Sequence, residues 1–139
     1  MPASSVTGIY SMKEACDVSG LNYETLKFYC NEGLVPNVKR DKLNRRVFSG
    51  HDVGWIKSLK CLKDCGFTLE EMREYLAMCL EGPASIPRRK VMLEAKRAIL
   101  KQKMAEIQAS LDYIDWKENF YDDVSSGKRP YISDLLPEN

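Results

Sequence analysis

The fold is decided by residues 10–35, YSMKEACDVSGLNYETLKFYCNEGLV. Ser11 is followed three residues later by Glu14, and this spacing is typical of a capping box at the start of a helix. The sequence therefore predicts a short helix from about residue 12 to Val18, which Ser19 and Gly20 interrupt.

A second short helix is predicted directly after this break. Asn22 can cap it, it runs from residue 23 to about residue 31, and Gly33 ends it. Two short helices joined by a glycine-containing turn are typical of a helix-turn-helix, although the same spacing also fits a generic helical hairpin.

The next stretch, residues 34–49, favours β-structure at both ends, at residues 34–35 and 47–48, and is polar in the middle. Asn44 suits a turn because asparagine tolerates positive φ. This pattern predicts a β-hairpin, or wing. A solvated charge run is one interpretation of its composition, but a basic hairpin after a helix-turn-helix favours a clamp on the phosphate backbone. Against the single negative Asp41, the wing carries five positive residues: Lys39, Arg40, Lys42, Arg45 and Arg46.

Two further helices are expected after the wing. Ser49 and Asp52 can cap the third, and Thr68 and Glu71 form another capping box for the fourth, which runs to about Leu80.

A long helix is predicted from about Pro87 to near residue 121, with apolar side chains in an imperfect heptad pattern. A lone helix of this length would leave its apolar stripe uncovered. We therefore expect a dimer-forming coiled coil, although packing on the chain's own domain is the alternative. The dimerisation candidates are Leu93, Leu100, Met104, Ile107, Leu111, Ile114 and Tyr121.

Length and composition limit the class of protein. The 139 residues carry a net charge of +1 and no apolar run long enough to span a membrane, and the N-terminus lacks the features of a signal peptide. A cytoplasmic location is expected, and the odd count of five cysteines favours reduced thiols. The predicted organisation is a DNA-binding domain over 9–81, a dimerisation helix over 82–124 and a tail over 125–139, with a loose segment at residues 1–8.

The ordered motifs resemble the MerR family of transcription regulators. They are residues 10–35 together with KRDKLNRRVFSGHDVGWIKSLKCLKDCGFTLEEMREYL at residues 39–76. The family's usual pattern has a Thr-Leu-Arg-Tyr-Tyr-Glu recognition helix, a basic wing ending in Arg-X-Tyr-Ser, and a Gly-Phe-Ser-Leu-Glu-Glu-Ile helix start. The resemblance covers roughly residues 9–80, and the long helix also fits.

The resemblance implies a mainly α-helical fold with a winged helix-turn-helix and an antiparallel coiled coil. It further implies a homodimer on a near-palindromic promoter operator. Members distort overlong spacer DNA, so that RNA polymerase is affected indirectly through the promoter. No cofactor is implied.

The same resemblance carries over residue by residue. Lys27 replaces the usual arginine and loses its bidentate fork, while Phe28 and Phe48 each replace a tyrosine and lose a hydroxyl. The DNA-contacting candidates are Tyr23, Thr25, Lys27, Phe28, Tyr29, Lys39, Arg40, Arg45, Arg46 and Phe48.

The trigger of such a regulator is the most open question. In KCLKDCG, Cys61 resembles the cysteine of the branch that responds to aldehydes or other electrophiles in a stress response, with Cys65 a weaker candidate. The alternative for both is that they are small core residues. A regulator of the same family that responds to a metal or to a small ligand stays open as an alternative. Cys61 and Cys65, four residues apart, could share a soft metal, but further ligands are lacking, so no metal site is assigned. A small non-covalent ligand has no motif in its support.

No catalytic constellation is present, and we expect no enzyme. Two further classes stay open beside the regulator: an effector-independent DNA-architectural protein, and a module whose coiled coil binds a different chain.

Overall fold

The computed structural model describes residues 8–137 and confirms a mainly helical fold with a small sheet. Strand β1 spans Ile9–Ser11, and helices α1 and α2 span Met12–Ser19 and Tyr23–Asn31. Strands β2 and β3 cover Lys39–Arg40 and Arg46–Ser49. Helices α3 and α4 follow at Gly50–Asp64 and Leu69–Glu81, a 3-10 turn covers Pro83–Ser85, and helix α5 spans Ile86–Ser125.

The helix starts follow from side-chain capping. In each of α1 to α4 the N-cap side chain accepts a hydrogen bond from the backbone N–H three residues on, at 2.8–3.1 Å. Such a cap contributes about 0.5–2 kcal/mol to helix stability, which explains why four starts could be located from the sequence. The capping residues are Ser11, Asn22, Ser49 and Thr68.

The sheet differs from the predicted two-stranded hairpin. It has three antiparallel strands in the order β1-β3-β2, with Ile9 opposite Ser49 and Arg40 opposite Arg46. Strand β1 was not predicted, and the predicted strand at residues 34–35 is instead a buried bend after α2. Of the segment predicted to be loose, residues 1–7 lie outside the described part of the chain.

The core lies beneath the helix-turn-helix and the wing. Residues from α1, α2, β3, α3 and α4 form one apolar cluster, and Met92 of α5 packs against it. Its largest fully buried apolar side chains are Phe48, Leu26, Leu34, Ile56, Leu59 and Met72.

The chain divides into two compact units, Met1–Arg97 and Ala98–Asn139. The first unit extends beyond the predicted boundary at residue 81 and includes the first turns of α5. There Lys96 donates from Nζ to the Gly66 carbonyl at 3.3 Å and to the Glu71 carboxylate at 2.7 Å. The Lys96 hydrogen bond lowers the pKa of Glu71. Of the predicted tail, residues 138 and 139 lie outside the described range.

Candidate nucleic-acid interface

Helix α2 has two distinct faces. Leu26 is fully buried, whereas Lys27 and Phe28 point outward and Phe28 is 48% exposed. Tyr23 in the first turn is 52% exposed, and Thr25 is half-buried. The helix thus presents one lysine and two aromatic rings at the surface of the first unit.

Two aromatic candidates do not share that surface. Tyr29 is 5% exposed and Phe48 is 1% exposed, and both belong to the core cluster. Tyr29 lies three residues after Leu26 and so falls on the same helix face, and Phe48 is turned inward on β3. Burial also raises the pKa of the Tyr29 hydroxyl. Both rings therefore pack in the core of the first unit, and their contact with DNA stays a prediction.

The wing loop is organised by one carboxylate. Asp41 Oδ1 accepts hydrogen bonds from the backbone N–H groups of Leu43 and Arg45, each at 2.9 Å. Its Oδ2 accepts from Arg45 Nε at 3.0 Å. The Arg45 backbone hydrogen bond is the main cause of the lowered pKa of Asp41. Asn44 takes the predicted left-handed conformation, with φ 61°.

The five positive charges of the wing are not equivalent. Besides Arg45, Arg40 donates to the Asn44 carbonyl at 2.9 Å and Arg46 donates to Asn31 Oδ1 at 2.6 Å. Within residues 8–137, the Lys39 and Lys42 side chains make no hydrogen bond or ion pair. A guanidinium has five donors, so these arginines keep N–H groups for a phosphate.

A cationic cleft of about 480 Å³ joins the wing to the start of α1. Tyr23 lines it together with four positive side chains and one carboxylate, that of Asp41, which is ion-paired with Arg45. The cleft is large enough for a phosphate group. Sequence reasoning missed one of the four positive side chains, Lys13. Its position in the first helical turn, where a positive charge opposes the helix dipole, could have identified it. The four positive residues are Lys13, Arg40, Arg45 and Arg46.

Long-range contacts fix the C-terminal end of α2 against the rest of the first unit. Arg46 from β3 bonds to Asn31, and Arg73 from α4 pairs with Glu32 at 2.5 Å. Trp55 Nε1 donates to the Leu34 carbonyl at 2.7 Å. The exposed face of α2 is therefore presented at a defined angle to the wing.

Two of the cysteines lie on the elements of this surface: Cys30 on α2, and Cys16 on α1 three residues after Lys13. Cys61 on α3 is exposed and Cys65 is half-buried. Lys60, one of the lysines beside Cys61, is ion-paired with Asp64 at 2.5 Å. Burial raises the pKa of the Cys30 and Cys16 thiols.

Among residues 8–137 no group of three His, Cys, Asp or Glu side chains is arranged to hold a metal ion.

The heptad residues of α5 form an exposed stripe. Helix α5 has no fully buried residue, and of the seven dimerisation candidates only Leu100 is half-buried.

No helix within the described residues is long and apolar enough to cross a membrane.

The charges of α5 are segregated along its length. Residues 86–105 contain seven positive side chains and one negative, Glu94; residues 106–125 contain six negative and one positive, Lys117. This order opposes the helix macrodipole, which favours acidic residues at the N-terminus and basic ones at the C-terminus. The positive set is Arg88, Arg89, Lys90, Lys96, Arg97, Lys101 and Lys103, and the negative set is Glu106, Asp112, Asp115, Glu118, Asp122 and Asp123.

Comparison with known families gives two matches that overlap along the chain. Residues 10–79 match the MerR HTH family regulatory protein model, and residues 53–116 match the model described as MerR, DNA binding.

Curated relatives agree with these matches. An uncharacterized HTH-type transcriptional regulator of Haemophilus influenzae is 33% identical over 112 residues, which cover 81% of this chain and 83% of the relative. The HTH-type transcriptional regulator AdhR of Bacillus subtilis is 35% identical, over 56% of each chain.

Solved structures share the fold. HiNmlR, a MerR family regulator lacking the sensor domain and bound to promoter DNA, superposes with a TM-score of 0.75 at 31% identity, over 86% of this chain and 90% of that one. A MerR family regulator described as putative from Listeria monocytogenes gives 0.69 at 31% identity, over 81% and 85%.

Proposed function

The chain belongs to the MerR family of DNA-binding transcription regulators, which are not enzymes, and on this premise we propose a homodimer that controls promoters by distorting operator DNA. The proposal includes a near-palindromic operator, an indirect effect on RNA polymerase, a cytoplasmic location and a trigger at a cysteine thiol. The observation that carries it is one surface of the first unit: the exposed face of α2 beside the cationic cleft and wing.

The proposal assigns a DNA contact to each part of this surface. Lys27 and Phe28 face the major groove from α2, since a recognition helix reads base edges there. The cleft holds a backbone phosphate between Lys13 and the wing arginines, which fixes the register of the protein on the duplex.

The charges of α5 support an antiparallel homodimer. In a parallel pair, like charges would face each other along the whole helix. In an antiparallel pair, the basic half of one helix lies beside the acidic half of the other. This order of charges destabilises an isolated α5 helix. Attraction between the oppositely charged halves of two paired copies would therefore explain why α5 has it.

Dimer geometry then sets the DNA geometry. Two recognition helices held at a fixed separation bind two half-sites, and DNA that must bend or untwist to reach both carries a deformation cost. This cost is offset by added phosphate contacts. A change in the dimer can therefore change the shape of the bound promoter.

Arg46→Ala is expected to weaken binding to the gene's own upstream promoter about tenfold and to lower the slope of log affinity against log salt by about one, because a phosphate contact is lost. Fluorescence anisotropy at several salt concentrations measures both. Asn31→Ala is the matched variant, because it removes the hydrogen bond to Arg46 but keeps the charge. If the two variants gave the same salt slope, Arg46 would act only by positioning the wing.

The thiol trigger is placed at Cys61 because it is the exposed cysteine of the described residues, whereas the other four are partly buried. The ionised sulfur would add to the carbonyl carbon of an aldehyde, and the carbonyl oxygen would take a proton. The reaction needs no oxidant, and it adds volume to the surface of α3.

Run-off transcription with wild type and Cys61→Ser, each with and without a small aldehyde, tests this trigger. We expect a severalfold change in transcript for the wild type and none for the variant. Cys79→Ser is the matched control and should respond like wild type. Equal responses of wild type and Cys61→Ser would exclude Cys61, and no response in either would favour an architectural role or another effector.

A further inference from the structure

The tip of the wing carries an apolar residue. Leu43 lies at the apex of the loop between β2 and β3 and is 71% exposed. A single exposed leucine is common on protein surfaces and by itself indicates nothing. Here, however, both neighbouring elements of the wing are basic, and the loop that presents the leucine is held in one conformation.

That conformation is fixed by hydrogen bonds on both sides of Leu43. Its own backbone N–H donates to Asp41 Oδ1, and the Asn44 N–H donates to the Asp41 carbonyl, both at 2.9 Å. Arg40 Nη1, at the end of β2, donates to the Asn44 carbonyl at 2.9 Å. With Asn44 in the left-handed region, this is a type I turn closed by a left-handed residue. The backbone of Leu43 therefore has little conformational entropy to lose when a partner binds.

The surroundings restrict the kind of partner. Lys42 precedes the leucine, and Arg45 follows two residues later with its side chain 70% exposed. An apolar protein surface would have to desolvate these charges. The minor groove of DNA instead offers apolar sugar edges and base steps between two rows of phosphates. Proteins that bind there combine basic residues with an apolar wedge.

We propose that Leu43 is a minor-groove wedge, which enters the groove beside the half-site bound by α2 and partly unstacks a base step while Lys42 and Arg45 contact the flanking phosphates. The inference rests on the proposed promoter binding through α2 and the wing. It adds a residue that acts on DNA shape and contacts no phosphate itself.

The wedge predicts a sequence preference without hydrogen bonds to bases. Pyrimidine–purine steps such as TA and CA unstack most easily, so such a step under the wing is expected to bind more tightly than a purine–purine step. Replacing this step by a purine–purine step should lower the DNA affinity of the wild type. It should not change the DNA affinity of a variant that lacks the leucine.

Leu43→Ser removes the wedge and Leu43→Met keeps an apolar side chain of similar volume. The probe is a duplex of the gene's own upstream promoter, with 2-aminopurine at the step under the wing and a donor–acceptor dye pair at its ends. We expect Leu43→Ser to lose most of the unstacking signal, to bend the duplex less and to bind about fivefold more weakly. Leu43→Met should behave like wild type.

Lys42→Ala is the matched control at the neighbouring position. It should lower the salt slope by about one and leave the unstacking signal intact. If Leu43→Ser unstacked and bent the duplex as the wild type does, the proposed role of Leu43 as a wedge would be wrong. The proposed promoter binding would not be affected by that result. If the wild type failed to bind the duplex in a salt-dependent way, the proposed function would fail with it. Unchanged thermal melting of Leu43→Ser shows that the fold is intact.

Discussion

Replacing Ile107 and Leu111 of α5 together by aspartate is expected to produce monomers that bind promoter DNA poorly. Both side chains lie in the heptad stripe, and they are 61% and 49% exposed in the single chain. The proposed homodimer buries this stripe. A full burial of isoleucine or leucine contributes about 1.5–3 kcal/mol, and the symmetry of the dimer doubles the effect of each substitution.

The aspartates act more strongly than the lost apolar area. Each would place a carboxylate in an apolar interface, where an unpaired charge is costly. The combined effect should raise the dimer dissociation constant by at least about a thousandfold, which corresponds to about 4 kcal/mol. A monomer holds one recognition helix and loses the second half-site, so operator affinity falls as well.

Sedimentation equilibrium measures the assembly state, and anisotropy measures operator binding. The matched control is Ala105→Asp with Ala109→Asp, which adds the same two charges to the same exposed helix but outside the heptad stripe. The control also reproduces the low helix propensity of aspartate. Should Ile107→Asp with Leu111→Asp remain a dimer at micromolar concentration, this part of α5 is not the interface.

The helical part of the fold could be predicted because its signals are local. A side chain such as that of Ser11 or Thr68 accepts a hydrogen bond from a backbone N–H only three residues away. Four consecutive residues are therefore enough to predict the start of the helix. The turn at Asn44 was likewise predictable from one residue's tolerance of positive φ. These features need no knowledge of the rest of the chain.

The errors concern features that depend on distant partners. Strand β1 has three residues and exists through its pairing with β3, which lies almost forty positions later. Residues 34–35 look like a strand because they are apolar, but they are apolar because they are buried under Trp55 and α2. The apolar composition of residues 34–35 therefore indicates that they are buried, and it does not indicate their backbone conformation.

The candidate site was predictable as a region more than as a set of contacts. Counting charges identified the wing, but the count could not show that Arg45 is ion-paired with Asp41 or that Arg46 is hydrogen-bonded to Asn31. The family's usual pattern also has aromatic residues at the positions of Tyr29 and Phe48, and it does not separate core positions from surface positions. Their burial follows from packing beneath α2 and β3 and needs the folded chain.

Phe48→Ala is expected to lower the free energy of unfolding by about 3–5 kcal/mol, whereas Phe28→Ala should change it by at most about 0.5 kcal/mol. Both substitutions remove the same atoms. Phe48 is 1% exposed in the core, so its loss leaves a cavity between β3, α1 and α3, while Phe28 is 48% exposed on α2.

Urea unfolding followed by far-UV circular dichroism measures both values, at one protein concentration because dimerisation contributes to apparent stability. DNA binding should show the opposite order. Phe28→Ala is expected to weaken operator binding severalfold at unchanged stability, and Phe48→Ala should reduce it only as far as the folded fraction falls. If Phe48→Ala lost DNA affinity while keeping its stability, the ring would have to reach DNA, and its burial in the core would not describe the bound protein.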